Sequence, residues 1–200
     1  MIYPIPQRHH AGKDHLAYWE NFLTPEDVNL ILAQPEWLSL REAEVGVVGL
    51  QASVNNEARS TSVGWLNLKP EVEQIWQKLS TAVAEINRRF FHFDIDGFHE
   101  PMQLGVYSAE NNGHYSWHVD ASPSDLNVPR KISMSMLLSD PSEFEGGEFQ
   151  VMTSSDKIET LEMQKGRAWF FPSYTLHRVA PVTKGVRRSL VLWVGGPPFR

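Results

Sequence analysis

The chain has 200 residues, a formal charge of −6 and no cysteine, with a mass of 22.8 kDa and a sequence pI near 5.7. That length fits one domain, and 42% hydrophobic against 21% charged residues is enough to build a real core and excludes long-range disorder. The missing cysteine excludes disulfides, thiolate zinc sites, iron–sulfur clusters and cysteine nucleophiles, while the acidic balance leaves no overall nucleic-acid footprint.

Met1 to His10 carries two prolines, an arginine and two histidines, which is no signal-peptide apolar region. No stretch approaches a membrane span, so a soluble, cytoplasmic protein without a membrane partner is expected. Thr24-Pro25-Glu26-Asp27 offers an N-cap, a proline at the first helical position and acids over the positive helix end, with Leu30, Ile31 and Leu32 following. A longer amphipathic helix begins near Pro70. Val72, Trp76, Leu79, Val83, Ile86 and Phe90 recur at alternating steps of four and three, and Ile75 widens the stripe.

From about residue 100 the period becomes two. Ile132, Met134, Met136 and Leu138 alternate with Lys131, Ser133 and Ser135 until Asp140-Pro141. Further strands are expected at Met102–Tyr107, Tyr115–Val119, Glu148–Met152, Arg167–Phe171, Leu176–Pro181 and Arg188–Val194. They are separated by Asn111-Asn112-Gly113, Gly146-Gly147, Lys165-Gly166 and Lys184-Gly185. Many short strands between turns point to a mainly β jelly roll with helices packed on one sheet. Residues 1–200 then form one domain, with 1–100 as helical support and outer strands and 101–200 as the core.

The segment Tyr115-Ser116-Trp117-His118-Val119-Asp120 reads as a strand, on which His118 and Asp120 share a face. A distant third arm completes a metal site, and His177 is the best candidate. Two histidines and a carboxylate on one side of an ion leave open positions, which suits non-haem Fe(II). Ten residues after His177 lies Arg187. A hairpin at Lys184-Gly185 would bring its strand back beside the His177 strand, where a guanidinium grips a carboxylate bidentately. Metal and cation together imply a small anionic ligand between them.

These residues resemble the Fe(II)- and 2-oxoglutarate-dependent dioxygenases, prolyl 4-hydroxylase-like branch, from about Arg59 to Trp193. The family's His-x-Asp, distal histidine and later basic residue fall on His118, Asp120, His177 and Arg187. Tyr107, Tyr115, Gly146-Gly147-Glu148-Phe149, Gly166, Phe171-Pro172 and Arg59-Ser60-Thr61-Ser62 with Trp65-Leu66 frame them in the expected order. The resemblance implies a double-stranded β-helix, Fe(II), 2-oxoglutarate and O₂, with ascorbate as reductant. It also implies hydroxylation of an unactivated C–H bond with release of succinate and CO₂, on a prolyl residue of a peptide or protein or, alternatively, on a free amino acid or other small metabolite.

In this branch a tyrosine on the strand corresponding to Lys131–Leu138 helps hold 2-oxoglutarate. Here that strand has none, and Tyr107 or Ser189 is expected to assist Arg187. Tyr115, Trp117 and Arg130 are candidates for the substrate pocket, and Ala121–Lys131 for a covering loop.

Rival readings are weaker. His114 shares strand parity with His118 but follows a turn and suits a rim position. Arg188 faces away from Arg187. His9, His10, His15, His92 and His99 lack partner spacing. A zinc hydrolase would give Arg187 no purpose, a non-enzymatic binding module would leave the histidines structural, and a nucleic-acid partner conflicts with the charge.

Overall fold

The computed structural model describes residues 15–45, 53–121 and 128–198. The first half supplies β1 (Ala17–Trp19), α1 (Pro25–Leu32), β2 (Arg41–Glu42), β3 (Glu44–Val45), β4 (Ser53–Val54), β5 (Arg59–Ser60), β6 (Ser62–Leu66) and α2 (Glu73–Ile86). Then follow β7 (Met102–Ser108), β8 (His114–His118), β9 (Arg130–Leu137), β10 (Phe144–Gly146) and β11 (Phe149–Ser154). The chain continues through β12 (Lys157–Leu161), β13 (Ala168–Pro172), β14 (His177–Val179) and β15 (Val182–Gly195).

Two sheets make the jelly roll. The major sheet runs β1-β13-β9-β15-β7-β6-β2, with β10 also paired to β15, and the minor sheet runs β12-β11-β14-β8-β5. Among the described residues, no helix is long and apolar enough to cross a membrane.

Helix α1 starts as its sequence dictates. Thr24 and Asp27 form a reciprocal capping box with Pro25 in the first turn. Asp27 also pairs with Lys78 of α2 at 2.5 Å, tying the two helices together. The apolar stripe of α2 is centred on Ile75, Leu79, Val83 and Ile86, all buried, while Trp76 sits at its margin against Phe98. The expected stripe continued to Phe90, but the α-helix stops at Ile86. A wider π turn, Asn87–Phe91, changes the phase and ends at His92 in a left-handed conformation.

The helices cover one face of the major sheet. Met102, Leu104, Ile132, Met134, Met136, Phe170, Leu190 and Leu192 from β7, β9, β13 and β15 pack with α2 in one core. The alternate positions of the same strands are also buried yet polar: Gln103, Ser133, Ser135, Arg187 and Ser189. Period-two alternation places these on the opposite face, toward the minor sheet.

One expected connection is corrected. Lys184-Gly185 makes no hairpin, because β15 runs unbroken through it. The chain instead crosses between sheets at Ala180-Pro181, pinned by Ala180 N–H donating to the Glu148 carbonyl and Gly147 N–H to the Pro181 carbonyl. Gly185, with φ of 71°, allows the close approach of β10, since a Cβ there would lie 2.0 Å from the Glu143 carbonyl oxygen. Arg187 therefore belongs to the sheet facing His177, paired with Tyr107 on β7.

Candidate metal centre

Strands β8 and β14 pair with His118 directly opposite His177. Val179, two residues after His177 on β14, faces Tyr115, three residues before His118 on β8, so β8 carries a bulge at Ser116-Trp117. The extra residue brings Tyr115 and His118 onto one face despite their odd spacing. The Tyr115 ring stacks on the His118 imidazole with centroids 3.5 Å apart and planes 15° apart. Strict alternation had aligned His114 with His118, and the bulge cancels that alignment. His114 opens β8 with its ring nitrogens 2.8 Å from the Asn112 carbonyl and 3.1 Å from the Glu57 carbonyl.

Trp117, expected in the pocket, points the other way. It lies on the outer face beneath Arg178, whose Cζ is 4.8 Å from the indole centroid. Arg178 flanks inward-facing His177 on β14, so alternation turns it outward.

Asp120 follows β8 and is fixed through its backbone N–H, which donates to the Ser173 carbonyl. Its Oδ1 lies 3.7 Å from His118 Nε2 and its Oδ2 lies 3.6 Å from His177 Nε2. One ligand atom from each of the three residues falls within 4.8 Å of the others. Both imidazoles are oriented from behind: His118 Nδ1 is 2.8 Å from the Ser116 carbonyl, and His177 Nδ1 is 2.9 Å from the Thr175 carbonyl. A carbonyl only accepts, so each Nδ1 carries the proton and each Nε2 lone pair faces the cluster. Phe149 and Phe171 enclose His177 at centroid distances of 5.6 and 4.8 Å.

The electrostatics favour a neutral His118 beside a charged Asp120. Burial, followed by the neighbouring His177, pushes His118 down to about 3. Burial opposes ionisation of Asp120, but the two imidazoles and the Ser133 hydroxyl prevail and hold its carboxyl below the ordinary value. Ser133, on the inner face of β9, donates to Asp120 Oδ2 at 2.7 Å. Its residue type gave no hint of this contact; only its alternation with Met134 did. Two imidazole nitrogens and one carboxylate oxygen converging from one side form a donor set that fits Fe(II).

On the opposite sheet, Arg187 is 1% exposed, and its Nε and Nη2 have no hydrogen-bond partner among the described residues. Its Cζ lies 5.3 Å from the Tyr107 ring centroid. Burial pushes the guanidinium below its ordinary value, with Tyr107 acting weakly against that. Ser189 lies two residues along β15 on the same face, opposite Gly105. A Cβ on Gly147, held at φ of 66°, would lie 3.0 Å from Arg187 Cδ and 2.9 Å from a Val182 methyl, so the glycine leaves room for the arginine. Arg130 pairs with Glu100 and holds its Cζ 3.8 Å above the Trp193 ring, whose neighbour is Trp65 at 6.3 Å. Of Ala121–Lys131, residues 122–127 lie outside the described residues, as do His9 and His10. His15, His92 and His99 take no part in the three-residue cluster.

Comparison with known proteins agrees with this geometry. The family model of the 2OG-Fe(II) oxygenase superfamily matches residues 102–195. A PKHD-type hydroxylase of Xylella fastidiosa is 30% identical, over 82% of this chain and 70% of its own. The PKHD-type hydroxylase YbiX of Escherichia coli is 26% identical, over 97% and 78%. Among solved structures, a Pseudomonas putida prolyl-4-hydroxylase superposes with a TM-score of 0.72 at 17% identity, covering 92% of this chain and 94% of the other. A Trichoplax adhaerens prolyl hydroxylase, in complex with a hypoxia inducible factor oxygen degradation domain peptide fragment, gives 0.74 at 16% identity, covering 92% and 84%. At that identity the superpositions speak to the fold, a jelly-roll double-stranded β-helix. With the sequence matches they lead to one conclusion: the chain belongs to the 2OG-Fe(II) oxygenase superfamily, among the PKHD-type hydroxylases, and is a hydroxylase that uses Fe(II), 2-oxoglutarate and O₂.

Proposed function

We propose that His118, Asp120 and His177 hold the Fe(II), that Arg187 receives the remote carboxylate of 2-oxoglutarate, and that the group hydroxylated is a prolyl residue of a peptide or protein. The observation that carries this reading is a buried guanidinium, with Nε and Nη2 lacking a hydrogen-bond partner among the described residues, on the sheet opposite a convergent His-Asp-His cluster. A buried charge without an anion costs several kcal/mol, and a dicarboxylate reaching from the metal removes that cost. A zinc hydrolase would leave it uncompensated.

Bound iron, with 2-oxoglutarate and O₂, supplies the oxidation: one oxygen atom enters the C–H bond and the other enters succinate as CO₂ leaves. The chain supplies position and dryness. The backbone carbonyls behind both imidazoles fix their rotation, and Ser133 fixes the carboxylate. Phe149 and Phe171 keep water from one flank. Tyr107 and Ser189 stand beside Arg187 and take over the part of the missing co-substrate tyrosine in this reading. The prolyl assignment draws on the names of the solved neighbours.

Protein incubated with Fe(II), ascorbate, 2-oxoglutarate and a proline-containing peptide library should release succinate and add one oxygen to proline, read by mass spectrometry. Oxygen gain on free amino acids alone would replace the peptide reading. Metal-dependent hydrolysis without succinate would overturn the assignment of Arg187.

A further inference from the structure

A second buried guanidinium lies on the other side of His118. Arg59 is 7% exposed and sits on β5, directly opposite Tyr115 in the pairing with β8. Its Cζ lies 4.4 Å from the Tyr115 ring centroid, and the other face of that stack is the His118 imidazole, 3.5 Å from the tyrosine. Guanidinium, phenol ring and imidazole therefore stand in sequence. Arg59 is itself located by a buried hydrogen bond from Nη2 to Gln103 Oε1 at 2.9 Å, while its Nε has no partner among the described residues. No carboxylate pairs with it among the described residues, and the cation rests on the Gln103 amide oxygen and the tyrosine face.

We infer that Arg59 is a positioning residue for the metal centre, acting through Tyr115 to fix the plane of the His118 imidazole. The backbone carbonyl of Ser116 fixes only one edge of that ring, at Nδ1. Rotation about that contact is checked by Tyr115, and Tyr115 is in turn clamped by the cation above it. The bulge at Ser116-Trp117 makes such a clamp necessary, because the ligand's own strand is locally irregular there. The same residue ties this centre to the segment before β5: Arg59 N–H donates to the Asn55 carbonyl, and Ser116 N–H donates to the Ala58 carbonyl.

The inference rests on the His-Asp-His cluster holding metal, and Co(II) titration of apoprotein separates the two claims. Wild-type protein that binds no Co(II), or binding that survives His118→Ala, would overturn the metal-site reading itself. With that binding in place, Arg59→Ala and the equally bulky but uncharged Arg59→Met should each weaken Co(II) affinity by about 10- to 100-fold, as for other groups that orient a ligand. They should also alter the visible Co(II) ligand-field spectrum. Arg59→Lys, which keeps a cation over the ring, should recover part of both. Tyr115→Ala should show the same loss, and adding Arg59→Ala to it should cost nothing more, since the arginine acts through the tyrosine. Folded variants with unchanged affinity and spectrum, or losses that add in the double mutant, would overturn the positioning role.

Discussion

The two faces of the major sheet are both buried, yet they are built for different tasks. Toward the helices, Leu104, Met134, Met136, Leu190 and Leu192 form a continuous apolar layer with α2. Toward the minor sheet, the residues between them are Gln103, Ser133, Ser135, Arg187 and Ser189. One strand thus contributes to stability with its even positions and to chemistry with its odd ones. The outer face offsets the cost of an inner face that holds a charge and hydroxyls out of water. Burial alone does not separate core from site; the polarity of what is buried does.

Substitutions can break that division. The largest effect on activity is expected inside: His177→Ala should abolish succinate release and leave no stoichiometric iron after anaerobic reconstitution, measured by metal analysis. Arg187→Met should split the two tasks. Losing the partner of a buried carboxylate should raise the KM for 2-oxoglutarate by about 2–5 kcal/mol equivalent. The ligand-free protein, relieved of a buried unpaired charge, should unfold at higher denaturant concentration, a gain of about 1–4 kcal/mol. A loss of stability instead would show that the cavity face is as structural as the outer one. Leu190→Ala, on the helix side, should cost about 2–5 kcal/mol in denaturant unfolding while kcat per folded molecule stays near wild type.

Smaller effects sharpen the picture. Ser133→Ala should weaken Fe(II) binding by about 10-fold through a looser Asp120, with little change in the KM for 2-oxoglutarate. In metal-free protein, His118 stays neutral down to about 3, whereas in the unfolded chain it titrates near 6.5. The unfolded state therefore takes up the proton first. Stability is complete above about 6.5 and falls with pH between there and about 3, with depressed Asp120 acting in the same direction. Urea melts across that range should show the decline in wild type and less of it in His118→Phe.

The period-two strand of Lys131–Leu138, the capping box at Thr24 and the apolar stripe of α2 were all legible, because each rests on local periodicity. The His118 and Asp120 pair was legible from spacing, and His177 and Arg187 from their order along the chain. What escaped was non-local. The bulge in β8 depends on pairing with β14, so alternation could not show that Tyr115 shares the face of His118, and Trp117 was assigned to a pocket it does not face. The glycine at 185 carries the same composition signal whether it reverses the chain or admits a neighbour, and only β10 decides between them. The contribution of Ser133 depends on a carboxylate 13 residues away and has no signature of its own.

The crossing at Ala180-Pro181 turns the ten-residue interval between His177 and Arg187 into a measuring device. The chain leaves one wall of the cavity at the imidazole, bridges to the opposite wall, and climbs just far enough to present the guanidinium. Because strand faces alternate, the count is a parity as well as a length. One residue inserted between Val182 and Arg187 would put Val186 on the inner face and drive the arginine into the helix-facing layer, disabling the proposed anion recognition without altering His118, Asp120 or His177.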